Sequence, residues 1–150
     1  MDNKELIEKF YTGLSEQNSD KMISCYHEDI VFEDPAFGKL KGERAKKMWQ
    51  MLCKNGKDFK VEFSQVAAND NKGSAHWEAW YTFSQTGRSV HNSIDAEFEF
   101  KDGKIIKHID VFDLRRWASQ AMGWKGKLLG GTNFFKKKLK QQTNKMLDRF

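Results

Sequence analysis

The segment Ile30-Val31-Phe32-Glu33-Asp34-Pro35 is the most informative part of the chain for its fold and its chemistry. Side chains alternate between the two faces of a β-strand, so Ile30, Phe32 and Asp34 share one face. Pro35 has no backbone N–H and restricts the residue before it, which ends the strand at Asp34. The segment therefore predicts a carboxylate at the mouth of an apolar cavity, where it is a candidate general base.

Helical periodicity is present on both sides of this strand. Apolar residues recur at helical spacing over residues 3–14, and a second, short helix is predicted to reach Tyr26. After Pro35 we expect a loop over residues 37–42 and then a third helix with an apolar stripe over residues 45–52. Three helices are therefore expected before most of the sheet.

From Phe59 onward the hydrophobic period changes to two, which is typical of strands. Asp102-Gly103 is a strong hairpin signal between the last two strands. The predicted strands cover residues 59–63, 74–83, 90–100 and 105–112. Strands that follow a run of helices predict an α+β domain with a long antiparallel meander.

Composition indicates one domain with an ordinary core. The chain has 150 residues, 39% of them hydrophobic, and it lacks an apolar run of the length that spans a membrane. The N-terminus has no apolar signal region, so we expect a cytoplasmic protein. Cys25 and Cys53 are expected to be buried, reduced thiols. No histidine has a ligand partner at metal-site spacing, so neither a metal nor a cofactor is expected.

The net charge of +5 is unevenly distributed. Residues 124–150 hold eight Lys or Arg and one Asp, a balance of +7, which leaves −2 for residues 1–123. We treat residues 1–123 as the α+β domain and residues 124–150 as a basic, helical extension of the same domain. The apolar stripe of that helix consists of Phe135, Leu139, Gln142, Met146 and Phe150.

The commoner explanation for such a helix is a solvated basic face whose stripe docks on the domain or on a partner subunit. Contact of residues 132–150 with an anionic membrane is the alternative. No RNA-binding signature is present, and we expect no nucleic-acid partner.

The order of elements resembles the ketosteroid isomerase and nuclear transport factor 2-like superfamily. The sharpest matches are Glu33-Asp34-Pro35 and the hairpin Phe98-Glu99-Phe100-Lys101-Asp102-Gly103-Lys104-Ile105. Within the superfamily the chain looks most like the SnoaL-like (polyketide cyclase-like) members. The resemblance implies a cone-shaped, curved antiparallel sheet packed on the N-terminal helices, the cystatin-like α+β barrel. It also implies a homodimer through the outer sheet face.

The resemblance implies a role for Asp34 as well. In ketosteroid isomerases the aspartate before this proline is the base that moves a proton on the steroid ring. The two oxyanion donors of that family fall on Phe10 and Ala96, which cannot donate. Removing one donor typically costs about a hundredfold in rate, so steroid isomerisation is disfavoured. The limonene-epoxide-hydrolase branch uses an Asp-Arg-Asp arrangement, and the only arginine of the meander, Arg88, lies in a turn.

The last long strand offers other partners for Asp34. Alternation places His108, Asp110 and Phe112 on one face, and alignment with the family makes that face the cavity wall. Asp34 would then be the base, with His108 and Asp110 as proton shuttle or enol stabiliser. For Asp34 the alternative is a strand-end residue whose carboxylate only caps a backbone amide in the Pro35 loop. A solvated pair, or a buried ion pair that only stabilises the sheet, is the alternative for His108 and Asp110.

The predicted pocket is mainly aromatic. Its expected wall consists of Phe10, Tyr26, Trp49, Tyr81, Phe83, Phe98 and Phe112. We expect a cofactor-free isomerase, cyclase or hydrolyase that acts by proton transfer on a largely apolar small molecule. A ligand-binding protein without chemistry and a dimerisation module are the alternatives.

Overall fold

The computed structural model describes residues 1–150 and contains six strands and six helices. The strands are β1 (Tyr26–Asp34), β2 (Gly38–Lys41), β3 (Lys60–Ala68), β4 (Lys72–Phe83), β5 (Arg88–Lys101) and β6 (Lys104–Val111). The helices are α1 (Asn3–Ser15), α2 (Ser19–Ile23), α3 (Glu43–Asn55), α4 (Leu114–Met122), α5 (Trp124–Leu129) and α6 (Asn133–Arg149).

All six strands belong to one curved, unclosed sheet in the order β2-β1-β6-β5-β4-β3. The strands from β3 to β6 form the expected antiparallel meander. Asp102 and Gly103 both have positive φ, as the tight turn between β5 and β6 requires. However, β1 lies parallel to β6, so the sheet is mixed. The α+β class and the packing of a curved sheet on helices are confirmed.

The region around Pro35 differs from the prediction. Residues 38–41, expected in a loop, form β2, which pairs antiparallel with β1 and places Asp34 opposite Gly38. Leu40 is buried opposite Phe32, but a strand of four residues between glycines is too short for its period to be recognised. The second helix also ends earlier than predicted, at Ile23, because Tyr26 already belongs to β1.

The inner sheet face and the helices enclose two cores. The larger one packs α1 and α3 against the sheet and contains Ile7, Phe10, Phe32, Trp49 and Phe98, among others. Cys25 and Cys53 are buried in it and form no disulfide. The smaller core packs α4 and α6 against β5, through Val90, Leu114, Trp117 and Leu139, among others.

The C-terminal helix α6 packs on the domain. Thr132 caps it by accepting a hydrogen bond from the backbone N–H of Phe135. Leu139 and Leu147 are buried, whereas Met146 and Phe150 of the predicted stripe remain partly exposed. No helix of the chain combines the length and the apolar character that a membrane crossing requires.

Candidate functional site

A cavity of about 550 Å³ lies between the inner face of the sheet and helices α3, α4 and α6. Its wall is mainly hydrophobic. The aromatic residues of the wall include Trp49, Trp77, Tyr81, Phe83, Phe112 and Trp117. Three carboxylates line the same wall: Asp34 at the end of β1, Asp110 near the end of β6, and Asp58 in the segment between α3 and β3. An apolar cavity with few polar groups is the usual form of a small-molecule site.

Asp34 is held in place by the turn that follows it. Its Oδ1 accepts hydrogen bonds from the backbone N–H groups of Ala36 (2.9 Å) and Phe37 (2.6 Å). The pKa of Asp34 is raised from 3.8 to about 7, mainly because burial removes water from the carboxylate. The negative charge of Asp110 adds to this rise, and the two backbone hydrogen bonds oppose it. Asp34 is therefore a carboxyl that can gain or lose a proton near neutral pH.

Asp110 belongs to a chain of buried hydrogen bonds. Trp49 Nε1 donates to Tyr26 Oη (2.9 Å), and Tyr26 Oη lies 2.8 Å from His108 Nδ1. His108 Nε2 lies 2.9 Å from Asp110 Oδ1, which also accepts a longer bond of 3.4 Å from Trp77 Nε1. The Asp110 carboxylate can only accept, so His108 Nε2–H donates to it; in that neutral tautomer Nδ1 is an acceptor, and the Tyr26 O–H donates to it. His108 thereby orients Asp110 at the cavity wall.

His108 itself lies behind the wall. Its side chain has no exposed surface, and aromatic rings surround it on several sides. The centroids of Phe98, Phe32 and Phe10 lie 4.5, 5.1 and 5.3 Å from the imidazole centroid, and Trp49 stacks on it at 6.2 Å. His108 is not part of the cavity wall, but it is hydrogen-bonded to Asp110, which is.

The cavity wall contains some of the residues predicted for the pocket and not others. Trp49, Tyr81, Phe83 and Phe112 line the cavity, but Phe10, Tyr26 and Phe98 lie outside its wall, in the core around His108. The difference comes from position along the strands. The cavity occupies the end of the sheet where β1 and β6 finish, whereas α1 fills the space under the other end.

Two features of the wall were not predicted from the sequence. Asn92 on β5 is 9% exposed, lines the cavity and forms no side-chain hydrogen bond within the protein. Its place between Val90 and Ile94 on an apolar face is a signal that could have identified it. The second feature is α6. It was expected only to dock on the domain or on a partner subunit, but it contributes Leu139, Gln142, Thr143 and Met146 to the wall.

Polar contacts tie α6 to the turn that carries Asp34. Thr143 Oγ1 donates to the carbonyl of Ala36 (2.9 Å), and Asn144 Nδ2 donates to the carbonyl of Phe37 (3.0 Å). Arg44 of α3 adds an ion pair with Asp148 (2.7 Å). The C-terminal helix thus closes one side of the cavity and contacts the backbone beside the candidate base.

The outer face of the sheet is largely polar. Trp80, on the face opposite Trp77, stacks on His91 at 4.5 Å, with the ammonium of Lys60 5.3 Å from its ring. His91 and His76 both contact Glu78, at 2.7 and 3.4 Å. The homodimer through this face stays a prediction.

Two buried tyrosines allow a matched test of the hydrogen-bond chain. Tyr26→Phe is expected to lower the free energy of unfolding by about 2 kcal/mol, because Trp49 and His108 lose their partner. Tyr11→Phe is expected to leave it unchanged or raise it by about 1 kcal/mol, since the buried Tyr11 hydroxyl has no partner. Urea unfolding of both variants measures the difference. Equal losses of unfolding free energy in the two variants would contradict the assigned chain of hydrogen bonds.

The fold is that of the nuclear transport factor 2-like proteins, here with a cavity whose wall includes the carboxylates of Asp34 and Asp110. The family model of the SnoaL-like domain matches residues 7–108, and the chain therefore belongs to the SnoaL-like family. The resemblance deduced from the sequence is confirmed. No curated protein matches the chain significantly.

Several solved structures share the fold. An LEH-like epoxide hydrolase from M. tuberculosis is 20% identical, with 84% of this chain and 89% of that chain covered and a TM-score of 0.63. A candidate polyketide cyclase from Xanthomonas campestris is 17% identical, with coverage of 77% and 93% and a TM-score of 0.64. An NTF2-like protein of unknown function from Burkholderia pseudomallei is 12% identical, with coverage of 81% and 99% and a TM-score of 0.68. At these identities the similarity concerns the fold alone.

Proposed function

We propose that the protein is a cofactor-free acid–base enzyme that moves a proton on a mainly apolar small molecule, in a reaction of the isomerase, cyclase or hydrolyase type. The observation that carries the proposal is Asp34, a carboxyl with a pKa of about 7 in the wall of an apolar cavity. A general base is most effective when its pKa lies near the working pH. At neutral pH a large share of Asp34 is ionised and ready to accept a proton.

Asp110 is the second proton-handling group of the proposal. Its Oδ1 is occupied by His108 and Trp77, and no protein group donates to its Oδ2. The hydrogen bond from His108 fixes the carboxyl and leaves Oδ2 for a ligand. Asp34 would remove a proton from a carbon next to a carbonyl, and Asp110, positioned by His108, would exchange a proton with an oxygen of the same molecule.

Asn92 supplies the group that would orient the ligand. Its side chain lies in the wall, and its amide has no hydrogen-bond partner within the protein, so it can donate to a ligand carbonyl or accept from a hydroxyl. An amide donor also stabilises the negative charge that develops on a carbonyl oxygen when the adjacent carbon loses a proton. We therefore propose a substrate that is apolar over most of its surface and carries at least one such oxygen.

Membership of the SnoaL-like family and the similarity to a candidate polyketide cyclase support this class of substrate. The similarity to an LEH-like epoxide hydrolase does not extend to an Asp-Arg-Asp arrangement. No arginine lines the cavity, and Arg88 instead donates to the carbonyl of Gln120 (2.7 Å). Epoxide hydrolysis of that type is therefore not proposed.

Deuterium exchange tests the proposal without knowledge of the natural substrate. Aryl-substituted 1,3-diketones are incubated with the protein in deuterated water, and deuterium incorporation is followed by mass spectrometry. The wild type is expected to accelerate exchange over buffer, and Asp34→Asn is expected to reduce the protein-catalysed rate by about a hundredfold. Asp70→Asn, at an exposed aspartate outside the cavity wall, is the matched control and should exchange like the wild type.

A ligand-binding protein without chemistry is the second candidate, favoured by the mainly hydrophobic wall. Binding of the same diketones is measured by the fluorescence of Trp49, Trp77 and Trp117, which lie in the wall. Binding by the wild type without accelerated exchange would favour this candidate and reject the enzyme. The dimerisation module is not proposed, because it predicts a pocket filled by the protein's own side chains, and a cavity of about 550 Å³ is present instead.

A further inference from the structure

The surface of the C-terminal extension combines exposed apolar side chains with unpaired positive charge. Six of the nine large hydrophobic residues that the molecule exposes lie in residues 124–150. Four of them fall within residues 124–134, which we call the α5–α6 patch: Trp124, Leu128, Leu129 and Phe134, each between 49% and 69% exposed. Large exposed apolar groups concentrated in this way mark an interaction surface.

The packing of α5 explains why these side chains point outward. Gly126 and Gly130 are buried, and the backbone of Gly126 lies against the carbonyl of Ala118 in α4, with no room for a side chain. The face of α5 that carries these glycines thus packs against α4. Trp124 and Leu128, four residues apart on the remaining surface, contribute little to the folded core and are left to the solvent.

The C-terminal extension that holds the α5–α6 patch is strongly positive. All eight Lys and Arg residues of 124–150 are exposed, and none forms an ion pair with a carboxylate. The single acidic residue of this segment, Asp148, is paired with Arg44 of α3. Two lysines lie beside the apolar rings themselves, Lys125 at 5.9 Å from Trp124 and Lys138 at 5.5 Å from Phe134.

We infer that the α5–α6 patch binds the surface of a membrane that contains anionic lipid. Trp, Leu and Phe side chains enter the boundary between headgroups and acyl chains, and the neighbouring lysines bind the anionic headgroups. The charge complementarity favours anionic lipid over a second copy of the chain, whose own patch carries the same positive charge. The inference also differs from the alternative considered for residues 132–150, since Leu139 and Leu147 are buried and the proposed lipid-binding groups lie mainly before them.

Vesicle flotation of the full-length protein tests the inference. Vesicles of phosphatidylcholine alone are compared with vesicles that also contain phosphatidylserine, at low and at high salt. The wild type is expected to float with the anionic vesicles at low salt, with binding reduced by salt and absent with phosphatidylcholine alone. Recovery that does not depend on phosphatidylserine, or no flotation at all, would overturn the inference.

Two double variants separate the apolar and the electrostatic contributions. Trp124→Ser with Leu128→Ser removes apolar groups, and Lys137→Glu with Lys138→Glu reverses charge, and each is expected to weaken vesicle binding at least about tenfold. Lys72→Glu with Lys101→Glu, at exposed lysines outside the extension, is the matched control and should bind like the wild type.

Because all these side chains are exposed, the variants should keep the wild-type unfolding midpoint, which urea unfolding verifies. Undiminished flotation of both patch variants would reject the inference. The inference would also be rejected if the wild type self-associated instead of floating with vesicles and if Trp124→Ser with Leu128→Ser abolished that self-association.

Discussion

Asp34→Asn is expected to stabilise the protein above neutral pH by up to about 4 kcal/mol, although it removes the proposed base. The folded protein raises the pKa of Asp34 from 3.8 to about 7, so the folded state holds this proton more tightly than the unfolded chain does. The contribution of protonated Asp34 to folding stability is fully present below about pH 4 and is lost as the pH rises through about 7. The interval between the two pKa values corresponds to about 4 kcal/mol.

Asparagine avoids this loss because it stays neutral and its side-chain oxygen can still accept from Ala36 and Phe37. Urea unfolding at pH 4, 6 and 8 measures the effect, with the pH series spanning the interval between the two pKa values. The gain of Asp34→Asn over the wild type should be small at the lowest pH and largest at the highest. A constant difference at all three pH values would contradict the raised pKa of Asp34. Asp70→Asn serves again as the exposed control.

His108→Ala is expected to cause the largest loss of stability, about 3–5 kcal/mol. The substitution opens a space among Phe10, Phe32 and Phe98, and unfavourable cavity formation adds to the lost contacts. It also leaves the Tyr26 hydroxyl without its acceptor and the buried Asp110 without its main donor. Thermal and urea unfolding measure the change.

His91→Ala is the matched control for this prediction. His91 is a partly exposed histidine that also contacts a carboxylate, Glu78, and its side chain is 42% exposed. Exposed pairs of this kind contribute about 1 kcal/mol or less. If His108→Ala and His91→Ala were equally stable, the buried hydrogen-bond chain would not be the stabilising element that its geometry indicates.

The sequence predicted which face of each strand is turned inward better than it predicted what lies against that face. Alternation assigned Asp34 and Asp110 to the inner face, and both line the cavity. Alternation could not show where the core ends and the cavity begins, because Phe98 and Phe112 are the same residue type, and both are at positions predicted to face inward. Only the position of α1, which fills the space under one end of the sheet, separates them.

Contacts between distant segments account for the other differences. The short strand β2 is stabilised by pairing with β1, and nothing within residues 38–41 reveals that partner. Similarly, the sequence shows that α6 is amphipathic but not that Gln142 and Thr143 lie in the cavity wall. The proposed polar ligand contact, Asn92, was recognisable in principle as a polar residue within an apolar alternation.

The turn at Ala36 and Phe37 has a consequence beyond holding Asp34. Its two N–H groups donate to the Asp34 carboxyl, while its two carbonyls accept from Thr143 and Asn144 of α6. Any outward displacement of α6 breaks hydrogen bonds to the same residues that bind the carboxyl. If that displacement changes the proton affinity of Asp34, then protonation of Asp34 changes the displacement equilibrium by the same factor. In that case, solvent access to the cavity and the charge at its mouth are thermodynamically linked.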